Sequence, residues 1–212
     1  MTVTDVNVVK SAIFERPDDA NKGTLGSLLC VCGSYGMAGA AVMSAKGALR
    51  TGIGLAKCAL PRSIYPIVSQ TILESVYYPL SENADGRISK VNVPFLVSES
   101  CKSSATLVGC GLGVCDDTLK IVFSLIENST TTLVLDADAL NCVAKQPEIL
   151  LRKKAPIIIT PHPGEMSRLT GLATPLVNAE RERVALDFAQ KYGVVTCLLY
   201  TSPSPRDYAA SR

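Results

Sequence analysis

The chain has 212 residues, of which 47% are hydrophobic and 19% charged, and its formal net charge is +2 at pH 7. This composition supports one sizeable core and excludes extended disorder for most of the chain. The basic residues are dispersed along the chain, and no window reaches the roughly 18 apolar residues of a membrane span. The start also lacks the pattern of a leader peptide. We therefore expect a cytoplasmic protein without nucleic-acid or membrane partners.

Short apolar runs alternate with segments of helical spacing in the first half of the chain, which is the order that βαβ units produce. The pattern predicts buried strands over 28–32, 53–60 and 75–80. It predicts helices over 39–50 and 63–70, and a surface loop over 81–90.

The second half repeats this alternation. Strands are predicted over 105–109, over 131–140 with two acids at the carboxyl end, over 156–160 and from 194. Helices are predicted over 116–127, from the end of the second of these strands to about 144, and over 179–192. Strands so uniformly apolar are typical of sheets that are covered on both faces. We therefore predict an α/β fold with a mostly parallel, doubly wound sheet and helices on both faces.

Eight cysteines could indicate disulfides or a metal site. Six of them lie in apolar runs, which predicts buried thiols that pack as small hydrophobes; they are Cys30, Cys32, Cys58, Cys110, Cys142 and Cys197. The spacings match no structural zinc site, and the single histidine, His162, has no thiol nearby in the sequence. We expect no metal held by cysteine and assign no metal ligand, and reduced thiols fit a cytoplasmic protein.

Four unusual segments follow predicted strands at their carboxyl ends. They are GSYGMAGAA (33–41), GCGLG (109–113), DADALN (136–141) and TPHPGEM (160–166). Ligands of open α/β sheets bind at this edge, because free backbone N–H groups and helix starts converge there. We therefore expect one ligand to lie across these four segments.

Each glycine-rich or acidic segment has an alternative interpretation. The spacing of Gly33, Gly36 and Gly39 favours a tight turn over a phosphate cradle. The glycines of GCGLG fit close approach to a ligand and a crowded turn equally well. Asp136 and Asp138 could be acids associated with a metal ion, or Asp138 could cap the following helix.

The histidine stands in a rigid setting, since Pro161 and Pro163 fix the backbone on either side of it. This presentation at a strand end favours ligand contact for His162 over a purely structural role. Glu165 could join it there or could neutralise the first turn of a helix.

The four segments that follow the predicted strands, together with the strands before them, resemble the signature segments of the ADP-dependent NAD(P)H-hydrate dehydratases of the ribokinase-like group. They occur in the same order as in that family. The resemblance extends from about Asn21 to Thr196. It implies a ribokinase-like fold and a lyase that repairs nicotinamide nucleotides by dehydrating hydrated NADH or NADPH. It also implies ADP, or ATP, with Mg²⁺ as the driving nucleotide, a homo-oligomer, and an NAD(P)H-hydrate epimerase as a functional partner.

The resemblance also implies which residues contact the substrate. Ala40, Gly111 and His162 match positions that contact the hydrated nucleotide, with Glu165 and Arg168 as secondary candidates. Arg168 could pair with the substrate diphosphate, or it could lie on a solvated helix face.

The sequence departs from the family pattern at specific places. Cys110 stands where the family commonly has proline, and the Lys-Gly pair and the GxGD segment that carries the family's catalytic aspartate are absent. No catalytic residue is therefore assigned, and we expect negligible turnover. We interpret 1–199 as a partial domain, incomplete at its C-terminus, and 200–212 as a non-homologous Ser/Pro-containing tail that is either disordered or artefactual.

Two other functions remain open from the sequence. A small-molecule kinase for a vitamin precursor would use the same fold but release a phosphorylated product. A catalytically inactive nucleotide-binding fragment would bind ligand without turnover.

Overall fold

A parallel sheet of seven strands organises residues 23–199, the part of the chain that the computed structural model describes. The strands are β1 (Ser27–Val31), β2 (Leu55–Pro61), β3 (Val76–Leu80), β4 (Ala105–Val108), β5 (Thr132–Leu135), β6 (Ile157–Ile159) and β7 (Val195–Thr196). Their order is β3-β2-β1-β4-β5-β6-β7, and every neighbouring pair is parallel. The predicted doubly wound α/β sheet is thus confirmed, whereas the proposed tail at 200–212 lies outside the described residues.

Helices connect the strands. They are α1 (Ala38–Arg50), α2 (Tyr65–Thr71), α3 (Val93–Cys101), α4 (Asp116–Asn128), α5 (Asp138–Val143), α6 (Pro163–Thr170), α7 (Thr174–Ala179) and α8 (Arg181–Tyr192). Short 3₁₀ turns lie at Arg62–Ile64, Lys90–Asn92 and Pro147–Arg152. Helices α3 and α7 were not predicted from the sequence. Within residues 23–199, no helix is long and apolar enough to cross a membrane.

Side chains alternate between the two faces of the sheet and build two clusters of buried residues. On β1, Leu29 and Val31 enter the larger cluster, whereas Cys30 and Cys32 enter the smaller one beneath α1. The small side chain of Ala45 is fully buried, which lets α1 lie close to the sheet. Helices therefore pack on both faces, as predicted.

The smaller cluster does not extend across the whole sheet. Cys30 shares its face with Leu107, Val134 and Ile158, which follow one another across β4, β5 and β6 in register. These last three side chains are only half-buried, while Cys30 is buried. The face is therefore well covered over β1 and β2 and less so beyond them.

The predicted burial of the cysteines is partly wrong. Cys30, Cys32, Cys58 and Cys142 are buried, but Cys110 is partly exposed and Cys197 is exposed. Cys110 follows the end of β4 rather than lying within it, and Cys197 follows the two-residue strand β7. Both positions lie past the ends of their strands, where fewer neighbours cover them.

The direction of winding reverses at β1. From β1 the chain adds β2 and β3 on one side and then returns to place β4 on the other side. The turns that leave β1 and β4 consequently run in opposite directions, which opens a crevice at the carboxyl edge. The four unusual segments follow β1, β4, β5 and β6, which are consecutive strands of the sheet.

Gly109 should be sensitive to substitution, because its φ is 124° and a Cβ there would overlap the carbonyl oxygen of Asp136 and approach Ala139 Cβ to 2.7 Å. We expect Gly109→Ala to lower the free energy of unfolding by about 3 kcal/mol. Gly47→Ala is the matched control, because Gly47 lies within α1 and faces open space. It should raise stability by about 0.5–1 kcal/mol. Urea unfolding followed by circular dichroism tests both, and equal effects would contradict the prediction.

Candidate functional site

The glycine-rich turns after β1 and β4 are in direct contact. Gly33 N donates to Cys110 O at 2.9 Å, and Ser34 Oγ donates to Gly111 O at 2.8 Å. A Cβ at Gly111 would lie 2.6 Å from that of Ala40. Ala40 and Gly111 are therefore neighbours at the crevice, and their contact with a ligand stays a prediction.

Individual glycines of these turns do different things. Gly33 is a packing glycine, since a Cβ there would lie 2.7 Å from Ile64 Cδ1. Gly36 and Gly39 would meet no atom within 4 Å and border open space. Gly111 and Gly113 are both crowded by neighbouring side chains. The turn GCGLG after β4 is therefore crowded at Gly111 and Gly113. The turn after β1 instead borders open space at Gly36 and Gly39.

Two carboxylates join the turns after β4, β5 and β6. Asp136 accepts from Thr160 Oγ1 at 2.8 Å and from Cys110 Sγ at 3.3 Å. Asp138 Oδ2 accepts from Gly113 N at 2.8 Å. The interpretation of Asp138 as a helix cap is wrong, because the N-cap of α5 is Ala137 and Asp138 turns to the neighbouring loop.

Backbone strain lies between these two acids. Ala137 has φ 49°, and it is the only non-glycine residue with positive φ in the range 23–199. Such a conformation costs about 1–3 kcal/mol and persists only where the surroundings enforce it. Strained residues of this kind occur often at ligand-binding sites, which agrees with a site at this edge.

His162 serves as the N-cap of α6. Its Nδ1 accepts from Gly164 N at 3.0 Å and from Glu165 N at 3.4 Å. An accepting Nδ1 places the proton of the neutral ring on Nε2, which lies 3.3 Å from Glu165 Oε1. The hydrogen bonds to Nδ1 give the ring a structural role at the start of α6. The side chain is nevertheless 51% exposed, so the ring also faces solvent at the carboxyl edge.

Glu165 completes a capping box with this histidine. Its Oε2 accepts from His162 N at 2.9 Å, and its side chain is only 8% exposed. Burial raises the pKa of the Glu165 carboxyl, and the hydrogen bond from the His162 backbone opposes this effect. The role in the first helical turn is therefore present in the structure, and substrate contact by Glu165 stays a prediction.

Arg168 is exposed, yet it is connected to the same edge. Its Nη1 donates to Asn141 Oδ1 at 3.0 Å, and Asn141 Nδ2 donates to Asp138 Oδ1 at 3.3 Å. The guanidinium thus reaches towards α5 rather than extending freely from the helix face. Diphosphate binding by Arg168 stays a prediction.

Two residues at the rim, Arg87 and Tyr35, were not predicted from the sequence. The side chain of Arg87 lies across Gly113, where a Cβ would be 2.5 Å from its Nε. Tyr35 is 74% exposed, and its backbone N–H donates to Gly86 O at 2.9 Å. The segment 81–90 therefore contacts both glycine-rich turns, through Gly86 and Arg87. In the sequence, only the position of Arg87 directly after Asp85-Gly86 could have indicated this contact.

No group of three or more His, Cys, Asp or Glu side chains that could hold a metal ion exists among residues 23–199. Asp136 and Asp138 lie beside the turn after β4, and their oxygens already accept hydrogen bonds from protein groups. The described residues thus provide two carboxylates but no metal cage built from protein alone.

Comparison with known proteins identifies one family. Its sequence model, described as NAD(P)H-hydrate dehydratase, matches residues 28–202. A bifunctional NAD(P)H-hydrate repair enzyme of Thermofilum pendens is 37% identical over 83% of this chain and 34% of its own length. The ADP-dependent (S)-NAD(P)H-hydrate dehydratase of Neisseria meningitidis is 29% identical over 91% of this chain and 64% of its own length. The chain therefore spans about a third to two thirds of such relatives.

Solved structures agree with the predicted ribokinase-like fold. An ADP/ATP-dependent NAD(P)H-hydrate dehydratase of Bacillus subtilis, co-crystallised with ATP/Mg²⁺, has a TM-score of 0.74 at 26% identity over 92% of this chain and 65% of that one. A ribokinase-like superfamily protein of Enterococcus faecalis has a TM-score of 0.70 at 20% identity, covering 89% and 62%, which supports the fold alone.

Substitution of His162 can separate its capping role from other roles. His162→Ala removes the acceptor for two backbone N–H groups and should lower the free energy of unfolding by about 1 kcal/mol. His162→Asn keeps a good N-cap and should cost less than about 0.5 kcal/mol. Chemical denaturation measures both, and the cap assignment fails if Asn is as costly as Ala.

The buried carboxyl predicts a dependence of stability on pH. The pKa of Glu165 is raised above its ordinary 4.5. Between pH 4.5 and the raised pKa, the folded chain therefore keeps a proton on this carboxyl that the unfolded chain has released. The free energy of unfolding should fall as pH rises from 4.5 through the raised pKa. In a His162→Asn background, which removes the imidazole beside Glu165, Glu165→Gln should abolish this fall. Urea unfolding of the single and the double variant from about pH 4 to about pH 8 tests this prediction. If the free energies of unfolding of the two variants run parallel with pH, the prediction is refuted.

Proposed function

This chain belongs to the NAD(P)H-hydrate dehydratase family, and from that premise we propose that its carboxyl edge binds hydrated NADH or NADPH for nucleotide-dependent dehydration. The observation that carries this proposal is the contact between Ala40 and Gly111 at the reversal of the sheet. In open α/β sheets this position receives the nucleotide.

The small residues there suit a flat ligand. Gly36 and Gly39 leave open space before α1, and Ala40 presents only a methyl group. A nicotinamide ribose can therefore approach the backbone closely without displacing side chains. In this arrangement Ala40 and Gly111 bind the substrate by shape rather than by charge.

Polar groups on the other side orient the ligand. His162 keeps Nδ1 engaged in the helix cap, so its Nε2–H, shared with Glu165, is the group available to a substrate oxygen. Arg168 is directed towards α5 by Asn141 and offers its remaining N–H groups to a phosphate. The imidazole thus orients the ring end of the substrate, and the guanidinium binds its diphosphate.

We propose ADP, or ATP, as the nucleotide that drives the reaction. Hydroxide is a poor leaving group, and transfer of a phosphoryl group to the hydroxyl of the hydrated ring lets phosphate leave instead. The names of the Neisseria relative and of the Bacillus structure support this choice. The described residues do not offer the Lys-Gly and GxGD groups that the family uses for the nucleotide, so no residue of this chain is assigned to that step.

Mg²⁺ fits this edge only together with a nucleotide. Magnesium commonly uses one or two carboxylates with phosphate oxygens and waters, and Asp136 and Asp138 are the described acids nearest the glycine-rich turns. When bound, the ion would neutralise phosphate charge. Each oxygen of the two carboxylates accepts one hydrogen bond and keeps a second lone pair for the ion.

We further propose that the protein forms a homo-oligomer and works with an NAD(P)H-hydrate epimerase. Exposed apolar side chains near α1, α2 and the β3 edge support self-association; they are Met37, Met43, Ile67, Leu73 and Val76. The word bifunctional in the names of several relatives supports a second repair activity that accompanies this domain.

Calorimetric titration with hydrated NADH tests the substrate assignment. We expect the 212-residue chain to bind it more tightly than NADH itself. His162→Asn and Arg168→Gln should each weaken binding about tenfold, since each removes one polar contact. Arg50→Gln, at the opposite end of α1 from Ala40, is the matched control and should bind normally. Equal affinity of all variants, or no binding by the wild type, would overturn the proposal.

A further inference from the structure

Four thiols lie on one face of the sheet. Cys30 and Cys58 are register partners on β1 and β2, Cys32 follows the end of β1, and Cys110 follows the end of β4. The first three are buried beneath α1, and Cys110 packs against the same cluster while remaining partly exposed. Cys110 is thus the thiol of this group that solvent can reach.

Cys32 and Cys110 lie side by side. The backbones meet through the bond from Gly33 N to Cys110 O at 2.9 Å, and Cys110 packs against the buried cluster that contains the Cys32 side chain. Neighbouring strands lie about 4.8 Å apart, so a one-residue diagonal gives a Cα separation of about 6 Å. Disulfides span about 4.4–6.8 Å between Cα atoms, so the pair can be bridged with little backbone movement.

We propose that Cys32 and Cys110 form a redox-active pair which hydrogen peroxide closes into an intramolecular disulfide, and that this bond disables the turn that carries Gly111. The pair is a modification site next to the proposed ligand. Formation of the disulfide does not depend on the proposed function, whereas its effect on binding does.

The chemistry takes place in two balanced steps. Cys110 attacks peroxide, the O–O bond breaks, and Cys110 becomes a sulfenic acid while one water leaves. Cys32 then attacks the Cys110 sulfur, the S–O bond breaks, and a second water carries away the hydroxyl group and the Cys32 proton. Sulfur loses two electrons overall, and the peroxide gains them.

The environment assigns different roles to the two thiols. Cys110 is partly exposed, so it is the thiol that meets the oxidant first. Cys32 is buried beside it, so it meets no oxidant itself and is placed for the second, intramolecular step. Only the partly exposed partner needs to meet the oxidant.

The disulfide would change the site directly. Cys110 Sγ donates to Asp136 Oδ2 at 3.3 Å in the reduced chain. A bond to Cys32 removes that proton and turns the sulfur towards β1. Gly111 is the next residue and contacts Ala40 closely, so loss of the bond from Cys110 to Asp136 removes a restraint on the turn that carries Gly111.

Peptide mapping after peroxide treatment of the native 212-residue chain tests the bond. Trypsin places Cys30 and Cys32 in the peptide 23–46, and Cys110 and Cys115 in the peptide 103–120. We expect a cross-link between these peptides in the wild type and in the controls Cys30→Ala and Cys115→Ala. Cys32→Ala and Cys110→Ala should lack it.

The native fold should be required for this selectivity. In urea the same cross-link should form at least tenfold more slowly. The proposal is overturned if the cross-link survives in Cys32→Ala, if it forms equally fast in urea, or if Cys110 oxidises to a sulfinic acid without any cross-link.

Binding measurements test the consequence separately. Oxidised wild type should bind hydrated NADH at least tenfold more weakly than reduced wild type, dithiothreitol should restore binding, and Cys32→Ala should not respond. Unchanged binding by the cross-linked chain would refute the effect on the turn. If the reduced wild type does not bind while the cross-link forms, the proposed function fails and the disulfide stands.

Discussion

The candidate site depends on the close approach of two backbone turns at Gly109. A side chain at this position would collide with Asp136 O and with Ala139, so only glycine lets the turn after β4 lie against the turn after β5. That contact allows Gly113 N to bind Asp138 and Cys110 to bind Asp136. The strained Ala137 is held between the same two acids.

The sequence predicted the fold well because uniformly apolar strands report burial directly. The runs at 28–32 and 105–109 became β1 and β4 to within a residue, and the four segments did follow consecutive strands. Helix α3 was missed, since VPFLVSESC combines a proline with little amphipathic pattern. Side-chain partners were less predictable: Asp138 has the residue type of a cap, but only the fold places Gly113 N within its reach.

His162 illustrates why a structural role and a functional role need not compete. A capping histidine uses one ring nitrogen, and the buried Glu165 fixes the orientation of the other. The ring that closes the start of α6 is thereby held in one rotamer and one tautomer before any ligand arrives. Rigid presentation between two prolines has the same effect on the backbone.

The hydrogen bond from Ser34 to Gly111 joins positions 77 residues apart. Contacts of this sequence separation form late, because a long loop must close before any of them contributes stability. A partly folded chain that has built only the first strands and helices would therefore lack the crevice altogether. A ligand that spans the crevice would bind only the completed sheet and would slow its unfolding. Binding would therefore stabilise the chain only after the last stage of folding.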